Sequence, residues 1–235
     1  MKVKNQYAFY SPDLSQTLVL DDKTVFQILK VLRLKENQMI QLLDGKGKKG
    51  TYKIENIGKD FVSVVQFSIE EQKELSDFVL AFGVLKKDLT EWVIQKSVEL
   101  GASKIFIFQA ENSIAQIKDM DKKKDRFQMI LKEALEQSGN FYLPELKIYP
   151  SLKTLIEDSK SYPLYMTDPD SPDTFKTCGL KNKALFIVGP EGGLSPKEIK
   201  LLEENNAFKI RISQTVLRAE TACLSVLSQA VLSIL

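Results

Sequence analysis

Two segments of the chain combine residue types and spacings suited to chemistry. The first is Phe186-Ile-Val-Gly-Pro-Glu-Gly-Gly-Leu-Ser-Pro-Lys-Glu-Ile199, where an apolar, strand-like run enters Gly189-Pro190-Glu191-Gly192-Gly193. Three glycines within five residues permit positive φ and let main chain approach a ligand closely. Ser195 then suits a helix N-cap, Pro196 the first helical position and Glu198 the third, from which a carboxylate completes a capping box. The loop falls at the carboxyl end of a strand, where open α/β sheets bind ligands. The same string also serves as a tight strand–helix connection with no ligand. The second segment is Ile210-Arg-Ile-Ser-Gln-Thr-Val-Leu-Arg-Ala-Glu-Thr-Ala222. A strand ends near Ile212, a short loop follows, and a long apolar helix begins near Ala219. Arg218, Glu220 and Thr221 cluster at that helix start. Glu220 suits the positive end of the helix, and Arg218 can bind an anion or pair with a carboxylate.

The rest of the composition narrows the chemistry. The 235 residues contain no histidine, which removes His-based triads, His general bases and His metal ligands. Cys178 and Cys223 are too few for a disulfide framework or a zinc site, so no metal is expected. Catalysis is left to carboxylates, Arg, Lys, hydroxyls, backbone groups or a reactive cosubstrate. No apolar run approaches the ~20 residues that span a bilayer, and Met1–Tyr10 has no apolar signal core. No membrane partner is expected, and the expected location is cytoplasmic.

Positioning these segments requires the elements around them. Residues 1–72 read as a small, mostly β domain with one helix, in which Asp22 caps a helix carrying Val25, Ile28, Leu29 and Leu32 on one face. Met39–Leu43 and Thr51–Ile57 read as a hairpin around a glycine- and lysine-rich turn, followed by a strand over Phe61–Phe67. Residues 73–235 alternate strand and helix, as expected of an α/β domain with a mainly parallel sheet. Strands are expected at Phe78–Leu85, Lys104–Gln109, Leu146–Tyr149, Leu164–Thr167, Ala184–Val188 and Phe208–Ile212. Helices are expected at Leu89–Leu100, Lys122–Gln137, Leu152–Ser159, Pro196–Asn205 and Ala219–Ile234.

Charge separates the two parts. Residues 1–70 hold 11 basic against 8 acidic side chains. Within Lys30–Lys53, seven cations (Lys30, Arg33, Lys35, Lys46, Lys48, Lys49 and Lys53) face only Glu36 and Asp44. Such an excess suits a phosphate backbone, or a solvated lysine-rich surface. Gly45-Lys-Gly-Lys-Lys-Gly50 formally matches a dinucleotide motif. A strand follows it instead of a helix, so it is expected to be a mobile basic hairpin tip, with Lys46, Lys48 and Lys49 either contacting an RNA backbone or forming a plain surface hairpin.

Taken together, Gly189-Pro-Glu-Gly-Gly-Leu-Ser195 and Leu217-Arg-Ala-Glu-Thr-Ala222 resemble the paired signature of the SPOUT methyltransferases. More narrowly they are similar to the RsmE family, which methylates a uridine at uracil N3 in small-subunit (16S) ribosomal RNA. Val31-Leu-Arg-Leu34 with Asp44-Gly-Lys-Gly47 is similar to that family's N-terminal PUA-like barrel. Glu91-Trp-Val-Ile-Gln-Lys96, Glu99-Leu-Gly101, Glu111-Asn-Ser113, Arg126-Phe127 and Glu133–Gly139 match its central segments. The resemblance implies a SPOUT domain with a trefoil knot within about residues 160–235, a homodimer, and S-adenosylmethionine (SAM) bent into a pocket of three loops. On this chain the implied cofactor residues are Thr167, Val188, Gly189, Pro190, Glu191, Gly192, Gly193, Ile212, Ser213, Val216, Leu217, Thr221 and Ala222. Ile212, Val216 and Leu217 would form the apolar slot for adenine.

In the chemistry so implied, Arg218 stabilises the developing uracil oxyanion or grips phosphate, and Glu220 accepts the proton. Arg33, Lys46, Lys48, Lys49, Arg126 and Asn140 would contact the RNA. Three departures stand out: Ile212-Ser213 where the family has Leu-Gly, Asn140 where it has Arg, and no histidines near Val25–Lys30. A serine in place of that glycine is expected to strain the loop if φ is positive there. Other readings are a related SPOUT enzyme acting on another base or on ribose 2′-OH, and a non-catalytic RNA-binding ribosome-assembly protein.

Overall fold

The computed structural model describes residues 7–74, 76–86, 88–118 and 122–234, and divides the chain into two compact units. The first contains Met1–Glu74 and Leu135–Leu143; the second contains Leu75–Ala134 and Pro144–Leu235.

In the first unit, β1 (Ala8–Tyr10) and β2 (Thr17–Val19) precede helix α1 (Asp22–Phe26), which continues as a π-helical segment, Gln27–Leu32. Strands β3 (Met39–Leu43), β4 (Lys48–Ile57) and β5 (Val62–Glu71) follow, giving a sheet in the order β1-β3-β4-β5-β2. Alternation along the strands sends Ile40 and Leu42, Tyr52 and Ile54, and Val62 and Val64 into a core shared with Phe9, Val25 and Ile28. The buried Tyr52 hydroxyl donates to the Ser15 carbonyl (3.0 Å) and accepts from Gln66 Nε2 (3.1 Å).

Three expectations change here. Asp21, not Asp22, caps α1, its Oδ1 accepting the Thr24 N–H at 2.8 Å. The turn after β3 is tighter than expected, because Asp44 Oδ1 accepts the N–H groups of Lys46 (2.7 Å) and Lys48 (2.9 Å). Lys48 and Lys49 therefore belong to β4 and not to a loose tip; Lys49 Nζ lies 3.3 Å from a Glu70 carboxylate oxygen and 4.5 Å from the centroid of the Phe141 ring. Finally, the segment 135–143 returns to this unit: Gly47 N–H donates to Phe141 O (3.0 Å), Leu143 N–H to Gly45 O (2.9 Å) and Tyr10 N–H to Glu136 (2.9 Å). A contiguous division at residue 72 omits that return, which arises from long-range pairing and not from any local shift in composition.

The second unit alternates strand and helix throughout. Its elements are β6 (Asp77–Gly83), α2 (Leu89–Glu99), β7 (Lys104–Phe108), α3 (Lys124–Ser138, ending in the first unit), β8 (Glu145–Tyr149) and α4 (Leu152–Asp158). There follow β9 (Leu164–Thr167), α5 (Phe175–Cys178), β10 (Lys183–Val188), α6 (Pro196–Glu204), β11 (Phe208–Ile210) and α7 (Ala219–Leu232). The sheet order is β11-β9-β10-β6-β7-β8, and every neighbouring pair is parallel. Strands β6 and β10 are apolar and buried along almost their whole length, as central strands covered on both faces must be. Helix α7 buries Ala222, Cys223, Val226, Leu227 and Ala230 and packs on α2, β6 and β10.

At the opposite end of this sheet from its carboxyl edge, Asp77 accepts from Tyr162 Oη (2.7 Å), Ser103 Oγ (3.1 Å) and Lys104 Nζ (3.0 Å). Burial pushes the Asp77 carboxyl up, but these hydrogen bonds and the Lys104 charge outweigh it and hold it below its ordinary value. A depressed carboxylate stabilises the fold above the unfolded pKa of ~3.9, and that stabilisation is lost as pH falls through the folded value. Asp77→Asn should therefore lower Tm at pH 7, and the gap to the parent should narrow progressively in thermal melts as pH falls below the ordinary carboxylate value of ~3.9. A gap that stays constant down to ~pH 2 would rule out the ionic origin.

Candidate functional site

A cavity of about 840 Å³ opens at the carboxyl ends of β9, β10 and β11. Three loops build it, and each is fixed by its own sequence.

The loop after β9 runs through Thr167-Asp168-Pro169. The Asp168 N–H donates to Ile210 O at 2.9 Å, tying it to the end of β11, and Asp168 Oδ1 accepts the Asp170 N–H at 2.9 Å. Further along, Ser171 Oγ donates to Lys209 O (3.0 Å) and the Arg211 N–H to Asp173 O (2.7 Å).

The loop after β10 is Gly189–Gly193. Its turn is closed by the Gly193 N–H donating to Pro190 O at 2.8 Å, with Gly193 at φ 71°. A Cβ on Gly189 would sit 2.9 Å from Leu194 N and 3.0 Å from Gly193 C, so only glycine permits this close crossing of main chain. Glu191 Oε1 accepts the Lys86 N–H at 2.9 Å, and Asn112 Nδ2 donates to the carbonyls of Gly192 and Gly193, each at 3.3 Å. The capping box forms: Ser195 N–H donates to Glu198 Oε2 (2.8 Å) and Glu198 N–H to Ser195 Oγ (3.2 Å). Buried Glu198 also accepts the Glu111 N–H at 3.1 Å, so one carboxylate joins the β7 and β10 loops.

The loop after β11 covers Ile212–Arg218. Gln229 Nε2 of α7 donates to Ile212 O at 2.8 Å, and the Thr215 N–H donates to Ser213 Oγ at 3.2 Å. The strain expected at Ser213 is absent. Among the described residues, the non-glycine positions with positive φ are Arg33, Asn37 and Asn206. The serine takes an ordinary backbone conformation and uses its hydroxyl to shape the turn.

Thr167, Val188, Gly189, Pro190, Glu191, Gly193, Ile212, Ser213, Val216, Leu217 and Ala222 line this cavity, together with Arg218 and Glu220. Gly192 and Thr221 do not. Gly192 instead packs on Asn112, where an added Cβ would lie 3.0 Å from Asn112 Cβ, and Thr221 faces solvent from the first turn of α7. The lining also includes Asp168, Lys86, Leu89, Met166 and Thr215, which the sequence reading passed over. Asp168 had a signal, since Asp-Pro directly after an apolar strand marks the loop at its carboxyl end. Lys86 had none, because only the β6–β10 pairing brings it to the cavity. Arg218 is the extended N-cap residue of α7 and Glu220 lies in its first turn. Behind them Cys223 is fully buried, and burial, with Glu220 nearby, pushes its thiol far above the ordinary range; it is not a nucleophile.

The expected RNA residues fall in both units. Arg126 lies in the second and is held by Glu91, with Nε and Nη2 each 3.1 Å from Oε2, while Lys123 Nζ is 3.7 Å from Oε1 of the same carboxylate. Arg33, Lys46, Lys48, Lys49 and Asn140 lie in the first, where Asn140 Oδ1 accepts the Tyr142 N–H at 3.2 Å. Among the described residues, no group of three or more acidic, cysteine or histidine side chains is placed to hold a metal ion, and no helix is long and apolar enough to cross a membrane.

The chain thus combines a parallel α/β unit, with a ligand-sized cavity over its strand ends, and a small β unit. The family model for an RNA methyltransferase domain matches residues 71–231, and that for an RNA methyltransferase PUA domain matches residues 20–67. The chain belongs to the RsmE family, the ribosomal RNA small subunit methyltransferases E. It is 30% identical to the family member from Bacillus subtilis over 226 residues, covering 90% of this chain and 88% of that one. It is also 30% identical to one of the two from Borreliella burgdorferi over 213 residues, covering 87% and 86%. Among solved structures, the Neisseria gonorrhoeae ribosomal RNA small subunit methyltransferase E bound to S-adenosyl methionine superposes with a TM-score of 0.87 at 27% identity over 96% of each chain. A Legionella pneumophila protein in complex with bound SAM gives a TM-score of 0.88 at 28% identity, over 97% of this chain and 98% of that one.

Proposed function

We propose that this protein transfers the methyl group of SAM to N3 of a uridine in small-subunit ribosomal RNA, acting in the cytoplasm as a homodimer. One observation carries the reading: three loops distant in sequence converge on one cavity together with both Arg218 and Glu220. The cavity suits the cofactor. Ile212, Val216 and Leu217 offer apolar surface for a purine, and main chain at Gly189 passes where a Cβ would collide. Asp168, Glu191 and Glu220 on the wall match hydroxyl and ammonium donors.

SAM supplies an electrophilic methyl group on a sulfonium, reached by in-line displacement. The protein orients the uracil N3 against it and excludes water. N3 is a poor nucleophile until deprotonated. Glu220 takes that proton, and the permanently charged guanidinium of Arg218 stabilises the negative charge that develops on the uracil oxygens. The target base must be splayed from any stack to reach the cavity. Lys46, Lys48 and Arg33 of the first unit hold surrounding RNA through phosphates, whereas Lys49 and Arg126 already have carboxylate partners.

We also infer the trefoil knot over about residues 160–235. The reading is supported by β11 lying at the sheet edge beyond β9 while α7 packs on β10 and β6, and by the loop after β9 being hydrogen-bonded to β11 and the residue after it through Ser171 and Asp173. The homodimer is supported by exposed Phe208 and Leu232 in the same unit.

The direct test uses small-subunit particles from a strain lacking the gene, incubated with the protein and SAM, with modified nucleotides mapped by mass spectrometry. The expected result is one new methyluridine carrying its methyl at N3. A methyl on ribose or on another base would assign a different RNA methyltransferase activity, and no transfer would leave an RNA-binding role.

A further inference from the structure

We propose that the solvent face of α1 and its π-helical extension is a base-stacking site for single-stranded RNA, with Phe26 as the platform and Lys30 and Arg33 holding the flanking phosphates. The inference rests on RNA being the substrate and goes further by naming where an unpaired stretch of it docks.

The helix has two unlike faces. Thr24, Val25 and Ile28 are buried, and Leu29 and Leu32 pack against the same core. The opposite side leaves Phe26 60% and Val31 63% exposed, so an aromatic ring stands in water on a helix whose core-facing side is already filled. Burying that ring against a partner is favourable, and the surroundings select the partner. Lys23, Lys30, Arg33 and Lys35 are all exposed in the same stretch of chain, and no acidic residue occurs between Asp22 and Glu36. Among the described residues, neither Lys30 nor Arg33 is in an ion pair. Interfaces with proteins deplete charge, lysine above all, around their apolar centre. An aromatic ring with cations such as Lys30 and Arg33 in the same segment is instead the arrangement that grips a single strand, because every base has a π-face and every linkage a phosphate.

The backbone adds an independent sign. Gln27–Leu32 is π-helical, a rare form that concentrates at functional sites. It ends on Arg33 at φ 53°, a left-handed conformation that glycine adopts freely and arginine does not. The strained position thus carries an exposed cation directly after the helix that bears Phe26, and strain of this kind collects where a side chain has a task.

Fluorescence anisotropy with a labelled single-stranded RNA dodecamer of mixed sequence tests this on the full-length protein. Phe26→Leu keeps apolar bulk but has no π-face, and should weaken binding about 5- to 20-fold with the salt slope unchanged. Phe26→Trp should bind as tightly as the parent or tighter. Lys30→Gln combined with Arg33→Gln should reduce the slope of log K against log salt by about 1.4, or ~0.7 per phosphate contact. The proposal fails if Phe26→Leu binds like the parent, if leucine binds and tryptophan does not (the pattern of an apolar protein contact), or if duplex RNA suffers the same loss. It also fails if the parent does not bind single-stranded RNA. SAM calorimetry on every variant should match the parent, which verifies folding. Loss of SAM binding in the parent itself would instead sink the methyltransferase reading while leaving the stacking result intact.

Discussion

Arg218→Ala should lower the rate of methyl transfer about 10²- to 10³-fold under saturating SAM and RNA, the usual effect of removing one preorganised donor from a developing oxyanion. SAM affinity should stay within about threefold of the parent, because the guanidinium acts on the nucleophile and not on the donor. The geometry supports a separable effect. Arg218 is the N-cap residue of α7, its side chain makes no capping hydrogen bond, and the residue is exposed on the cavity wall. Its loss leaves α7 anchored by the buried Ala222, Cys223 and Val226. Arg218→Lys should recover part of the rate, since a point charge replaces a planar fork that can meet two acceptors. Single-turnover rates with calorimetric SAM titrations measure both quantities. Unchanged turnover would remove Arg218 from the chemistry, and an equal loss in affinity would make it a cofactor ligand.

Gly189→Ala should act on the other half of the site, lowering SAM affinity about 100-fold or more. The added Cβ would meet Leu194 N at 2.9 Å and Gly193 C at 3.0 Å, both backbone atoms. The loop cannot retreat freely. Asn112 holds the Gly192 and Gly193 carbonyls, and the Glu198 capping box holds Ser195. Relief must come from displacing the main chain that borders the cavity. Overpacking of this kind costs about 1–3 kcal/mol, so Tm should fall by only several degrees while binding is largely lost. Gly193→Ala is the contrast: nothing lies within 4 Å of its added Cβ, and only the positive φ of 71° opposes it. Its loss of affinity should be roughly tenfold or less. Calorimetry on the two variants separates the effects, and a Gly189→Ala protein that binds SAM like the parent would contradict the role of that crossing.

Much of the second unit was legible because its signals are local. Apolar runs such as Ala184–Val188, a Ser-Pro-x-Glu helix start and a long apolar C-terminal stretch each specify one element, and those elements form within a residue or two of the expected bounds. The paired glycine and leucine-arginine strings located two of the three loops. What escaped was long-range. Lys86 reaches the cavity only through strand order, and 135–143 joins the first unit through hydrogen bonds to Gly45 and Gly47. The short β1, β2 and α5 lie below the length at which periodicity is informative. Lys48 and Lys49 looked like a free basic tip because the Asp44 carboxylate that tightens the turn acts through geometry that charge counting does not contain.

The most direct measurement is a crystal structure of the protein soaked in SAM. The account predicts clear density for the donor in the cavity of about 840 Å³, its adenine against Ile212, Val216 and Leu217 and its methyl group on the side of Arg218 and Glu220. Density elsewhere on the chain, or a methyl group turned away from Arg218, would contradict it.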